Sequence, residues 1–183
     1  MIVNQKKIHG RSAEYLVRTA EEKDAKRLSN IRLQIDGETE YMDRERGEAY
    51  IDEAGFKHII KNDAESTNNL FLAAEIDGEI VGFSRCVGST LKRTCHQVEF
   101  GVCVLQAYWG YAIGQNLLKE SIHWAKLNEI KKITLGVIET NDKAIKLYIK
   151  YGFEIEGILK KDKRLADGNY YHTLLMGKFI DEE

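Results

Sequence analysis

The stretch Val98–Leu118, VEFGVCVLQAYWGYAIGQNLL, constrains the fold more than any other part of this chain. It begins as a run of β-branched and apolar residues, turns at Gln106-Ala107, and takes up a helical pattern after Gly110, Ala112 and Gly114. A buried strand that opens into a helix through small residues can hold an anion. The first turn of a helix leaves backbone N–H groups without partners, and the helix dipole adds about half a positive charge there. Small side chains let a phosphate approach that backbone. A plain strand–helix joint with a glycine turn would carry the same letters. Neither GxxxxGK[ST] nor a complete GxGxxG is present, so the stretch does not read as an ordinary mononucleotide loop.

The rest of the chain narrows the classes. With 183 residues it has the length of one domain with its own core, and residues 1–12 read as a loose polar arm. The formal net charge of -2 lacks the basic footprint of a nucleic-acid binder. No apolar run approaches the roughly 20 residues that span a bilayer, and the lysines near the start are not followed by a secretory apolar segment. Cys86, Cys95 and Cys103 are an odd set without CxxC spacing, and they read as reduced thiols of a cytoplasmic protein. The five histidines form no metal-binding pair, so no metal is expected.

In order, Glu14–Thr19 alternates as an entering edge strand, and Thr19 is placed to cap a helix carrying Ala25, Leu28, Ile31, Arg32 and Ile35. The acid-rich segment Asp36–Glu53 reads either as a solvated face or as a rim that attracts a cationic amine. A second helix is expected over Ala49–Lys61. Asn69–Glu75 and Glu79–Gly88 flank Asp77-Gly78, a hairpin signal. After Gly110, a helix with Ile113, Leu117, Ile122 and Ala125 inward leads to a buried strand, Lys131–Ile138, in a crossover that implies parallel pairing. Asn141 can cap a helix bearing Ala144, Leu147, Tyr148 and Tyr151, which Gly152 ends. Phe153–Leu159 and Tyr170–Phe179 form a last hairpin.

Two motifs now stand in order, VxVxxxYWGYAIGxxLL and NDKAIKLYIKYGF. Together they resemble the GCN5-related N-acetyltransferase (GNAT) superfamily over roughly Ile2–Ile180. The resemblance implies an α/β (α+β) fold: a mixed, twisted, mostly antiparallel sheet flanked by helices and splayed where acetyl-CoA binds. It implies that backbone groups of Val102 and Val104 pair with the pantetheine arm. The pyrophosphate would rest on N–H groups of Trp109, Gly110, Tyr111, Ala112, Ile113, Gly114 and Gln115, and Asn141 would bond the arm. Trp109 and Ala112 depart from the Gln/Arg and first Gly of the family loop, and Trp109 either packs under the loop or covers the adenine.

The same resemblance gives Tyr148 the role of acid toward the departing thiolate, where its spacing alone would make it a core residue. A phenol titrating near 10 suits a thiolate of about 8 to 9. Glu99 shares a strand face with Gly101 and Cys103 and is either an exposed residue or, as in related enzymes, the general base, its pKa raised by burial. His96 and His172 read as surface or strand-end residues, and Cys103 as core. The activity implied is acetyl transfer to a primary amine, of a small molecule or a peptide, by direct attack. The competing reading is a CoA-binding sensor or scaffold of the same fold. Homodimers through an exposed sheet edge are a further expectation; nucleic-acid and membrane partners are not.

Overall fold

The computed structural model describes residues 6–9 and 14–180. Its strands are β1 (Lys6–His9), β2 (Glu14–Thr19), β3 (Leu70–Ile76), β4 (Glu79–Gly88), β5 (Gln97–Val104), β6 (Lys132–Ile138), β7 (Glu154–Arg164) and β8 (Tyr170–Phe179). The helices are α1 (Ala25–Glu38), α2 (Glu53–Glu65), α3 (Ile113–Leu127) and α4 (Asp142–Lys150). The strands form one sheet in the order β1-β2-β3-β4-β5-β6-β8-β7. Every neighbouring pair is antiparallel except β5–β6, the pair joined through α3.

Local chemistry accounts for the joints. Asp77 and Gly78 both take positive φ, 50° and 83°, as a two-residue hairpin turn requires. Asp52 caps α2 by accepting the Gly55 N–H at 2.8 Å, and Gly152 at φ 81° ends α4. The start of α1 differs from expectation. A short 3-10 turn, Glu22–Asp24, precedes it, and the Asp24 carboxylate, not Thr19, accepts the Glu21 N–H at 2.8 Å. The same buried carboxylate receives two N–H groups of Arg18 at 2.6 and 2.9 Å, and Arg18 also reaches Glu75 at 2.8 Å, which locks β2, β3 and the start of α1 together.

Other boundaries also move. Lys6–His9 of the expected arm is a strand, so β2 lies inside the sheet; residues 1–5 and 10–12 lie outside the described residues. The second helix begins at Glu53 and not at Ala49. Strand β7 runs on to Arg164 past an irregularity near Lys161, whose φ is 54°. On α3, Leu118 and Trp124 are buried whereas Ile122 is only half-buried.

Helix α3 packs on β3, β4 and β5. Val102 and Val104 face it, their methyls 4.0 and 3.9 Å from where a Cβ on Gly114 would lie. Helices α1 and α2 cover the other face, where Phe56 of α2 meets Phe71 and Phe83 at ring separations of 6.3 and 6.5 Å. The core therefore has two layers, one on each side of β3–β5. Burial of Leu28, Ile31, Leu72, Leu117, Leu118 and Ile133 removes apolar surface worth about 25 cal/mol per Å² from water.

Candidate functional site

The site begins with a conflict of partners inside the sheet. Strand β5 is paired to β4 from Val98 to Val104, and β6 to β8 along its whole length. Between themselves β5 and β6 share only Gln97↔Lys132, Val98↔Ile133 and Glu99↔Thr134. Each half follows its own partner, and the sheet splays beyond Glu99. The Leu105 N–H donates to Val81 at 3.0 Å, so odd-numbered β5 residues turn their backbone groups toward β4. By alternation Val102 and Val104 turn theirs toward the gap. A cavity of about 1040 Å³ fills the splay, and its walls include Glu99, Gly101, Cys103, Leu135, Asn141 and Tyr148.

At the end of β5 the chain turns through Gln106–Tyr108 into α3. Gly110 has φ 90°, and Ala112 is a left-handed cap at φ 62°, ψ 17° with no side-chain hydrogen bond to the helix start. The ladder begins with Asn116 N–H to Ala112 C=O at 3.0 Å. The N–H groups of Ile113, Gly114 and Gln115 thus precede the first intrahelical bond, which leaves a positive helix terminus a few residues beyond the end of β5. Ala112 pays the Cβ cost that glycine would avoid, about 1–2 kcal/mol before compensation. Trp109 braces the loop from outside: its indole N–H donates to Val104 C=O at 2.9 Å and its ring stacks on Tyr41 at 6.3 Å. Val104 therefore has its carbonyl engaged, which leaves its N–H as the group for a ligand in the gap.

Helix α4 brings two expected residues to the opposite wall. Asn141 accepts the Ala144 N–H through Oδ1 at 3.3 Å, so its amide donors are spare for the cavity. Tyr148 is buried against Phe153 at a ring distance of 5.7 Å. Burial pushes its phenol up to about 12, with a smaller contribution from Cys103. The hydroxyl therefore stays protonated and is a hydrogen-bond donor across the physiological range. Burial likewise pushes the Cys103 thiol up to about 12, despite Arg44 nearby, so it is a poor nucleophile. Cys103 lines the cleft, its Sγ 3.7 Å from Met42 Sδ, and is only half-buried by surface exposure.

Glu99 corrects the expectation of a buried carboxylate. It is exposed on the face toward the cavity. His96 is exposed, and His172 Nδ1 lies 3.2 Å from Glu139.

The acid-rich segment is largely consumed by structure. Buried Asp36 pairs with Arg44 at 3.1 Å, Glu38 accepts the Gln106 N–H, Glu40 accepts the Ala166 N–H, and Asp43 pairs with Lys163. These contacts sew the loop after α1 to the α3 approach and to the β7–β8 hairpin. Glu45 and Glu48 of the same segment remain exposed. Cleft residues not anticipated from sequence are Tyr41, Arg44, Arg85, Asp162 and Thr173. Arg85 carried a signal, as a charge within the apolar run EIVGFSRCVG. Among the described residues no group of three or more His, Cys, Asp or Glu could hold a metal, and no helix is long and apolar enough to cross a membrane.

Residues 29–153 match the model of the family described as Acetyltransferase (GNAT) family. The L-amino acid N-acetyltransferase AaaT of Escherichia coli (strain K12) is 29% identical over 179 residues, which are 91% of this chain and 98% of that protein. The crystal structure of an acetyltransferase of GNAT family from Streptococcus pneumoniae superposes with a TM-score of 0.87 at 28% identity, over 91% of this chain and 99% of that one. The structure of yncA from Salmonella typhimurium with its cofactor acetyl-CoA shares the fold at a TM-score of 0.81 and 19% identity, over 92% of this chain and 95% of that one.

Proposed function

The chain belongs to the acetyltransferase (GNAT) family, and from that premise we propose that it acetylates a primary amine with acetyl-CoA, the amine attacking directly in a ternary complex. The observation that carries this reading is the splay between β5 and β6, whose cavity is flanked by Tyr148 and Glu99, with the start of α3 following on the end of β5 and lacking a side-chain cap. The name of the Escherichia coli relative supports a small amino compound as acceptor over a protein.

Acetyl-CoA supplies an acetyl group activated as a thioester. The residues of the chain then divide the work. The N–H groups at the start of α3 hold the pyrophosphate, and backbone groups of Val102 with the Asn141 amide align the arm in the gap. The Val104 N–H polarises the carbonyl. Glu99, open to water, takes a proton from the acceptor ammonium directly or through a water, which frees the nitrogen lone pair for attack. The Tyr148 hydroxyl donates to the sulfur as the carbon–sulfur bond breaks. With its phenol near 12, Tyr148 stabilises the thiolate by a hydrogen bond and passes a proton only as solvent returns one.

The first test is calorimetric titration with acetyl-CoA, CoA and ATP, followed by thiol-release assays with amines. Micromolar binding of acetyl-CoA, weak binding of ATP and acetylation of an amine are expected. Absence of acetyl-CoA binding would overturn the reading.

A further inference from the structure

We infer, on the reading that this cleft acetylates an amine, that the acceptor is an α-amino acid whose carboxylate binds Arg85 while its amine faces Glu99. The register of β4 and β5 sets Arg85 opposite Gly101 and Val87 opposite Glu99, so Arg85, Gly101 and Glu99 share one face of the sheet. Opposite charges on diagonal positions, about 7–8 Å apart at the backbone, are close enough for long side chains to meet. Here they do not meet. Arg85 is drawn toward α2, where Nε and one Nη donate to Asp63 at 2.5 and 2.8 Å. The Asp63 side chain is only 2% exposed and also accepts from Asn69 at 2.8 Å, so the guanidinium is anchored from behind.

Two consequences follow from that anchor. The other Nη of Arg85 makes no hydrogen bond among the described residues, and Arg85 lines the cavity. Glu99 has no cationic partner among the described residues. Between the two lies Gly101, where an added Cβ would meet nothing within 4 Å. An anchored guanidinium edge and an exposed, unpaired carboxylate thus border one open notch.

A ligand that completes both must carry the opposite pair in the matching order. An α-amino acid does so, because its ammonium and carboxylate are attached to one carbon. A polyamine would meet only repulsion at Arg85, and a peptide N-terminus would present a neutral amide there. Of the other charges lining the cleft, Asp43 is paired with Lys163, Glu156 with Lys132 and Arg44 with Asp36, and Asp162 accepts the Thr173 hydroxyl at 2.7 Å. Arg85 suits the task because its planar fork serves two carboxylates at once, Asp63 with one edge and the substrate with the other.

The test is steady-state acetylation of L-amino acids, each compared with its carboxamide, with the amine lacking the carboxyl, and with spermidine. For the native protein, kcat/KM for the acid should exceed that for its carboxamide by about 100-fold, mainly through KM. Arg85→Lys, chosen because it keeps a cation beside buried Asp63, should reduce the ratio to under about tenfold while acetyl-CoA affinity stays unchanged by calorimetry. Equal or better use of the carboxamide or spermidine by the native protein would overturn the inference. So would an undiminished ratio in Arg85→Lys. Acetyl-CoA binding with acetylation of amines indifferent to a carboxylate would sink the acceptor class and leave acetyl transfer standing. No acetyl-CoA binding and no acetylation would sink both.

Discussion

Tyr148→Phe removes one oxygen and separates chemistry from architecture. The ring packs on Phe153, and that contact survives in phenylalanine. The hydroxyl has no hydrogen-bond partner among the described residues and borders the cavity, so its loss breaks no internal bond. Folding stability should therefore change by less than about 1 kcal/mol, a Tm shift of at most about 2–4 °C for a chain of this size. Acetyl-CoA affinity should stay within about twofold. The rate of the acetyl-transfer step should fall by about 10²–10⁴, or roughly 3–5 kcal/mol of barrier, because proton delivery to a leaving group contributes on that scale. The assay is thiol release at saturating acetyl-CoA, run beside calorimetry and a thermal melt. The native rate should show no decline from ionisation of Tyr148 below about pH 11, because burial holds the phenol near 12. A variant with native kcat would remove Tyr148 from the mechanism. A large drop in Tm would instead give its hydroxyl a structural role.

Glu99→Gln should lower kcat/KM by about 10- to 100-fold with acetyl-CoA binding intact; an unchanged rate would refute the base assignment. Ala112→Gly should raise stability by up to about 1 kcal/mol in a denaturant melt, since relief of the left-handed strain at φ 62° exceeds the entropy that glycine adds to the unfolded chain; destabilisation would show the Cβ to be packed. Burial raises the thiols of Cys86 and Cys103 to about 12, above their unfolded values near 8.5. Stability is then fully present below about pH 8.5 and is lost as the pH rises toward 12, because the unfolded state sheds those protons first. Alkaline melts of native protein and Cys86→Ala should show a shallower decline in the variant, and identical slopes would refute it.

How much was legible before the fold was in view differs by element. The hairpin at Asp77-Gly78, the cap at Asn141 and the stop at Gly152 were legible because each is a short-range device whose residues are adjacent in sequence. The start of α1 was not, because Asp24 serves the cap while bound to Arg18 and Arg18 to Glu75, a partnership across the sheet. The pairings of the acid-rich segment were illegible for the same reason. Its carboxylates meet Arg44, Gln106, Lys163 and Ala166, and most of those partners are distant along the chain.

Sequence by itself determined the strand–loop–helix of Val98–Leu118, the alternation that sets Glu99 and Gly101 on one face, and the helix that carries Tyr148, because periodicity and turn chemistry act over a few residues. The tertiary structure alone decided how far β5 and β6 pair before they part, that Glu99 is open to solvent while the Tyr148 phenol is buried, and that Asp63 draws Arg85 back from Glu99. Those are matters of distance between segments far apart in the chain, and of how much water each group retains, and no local pattern encodes either.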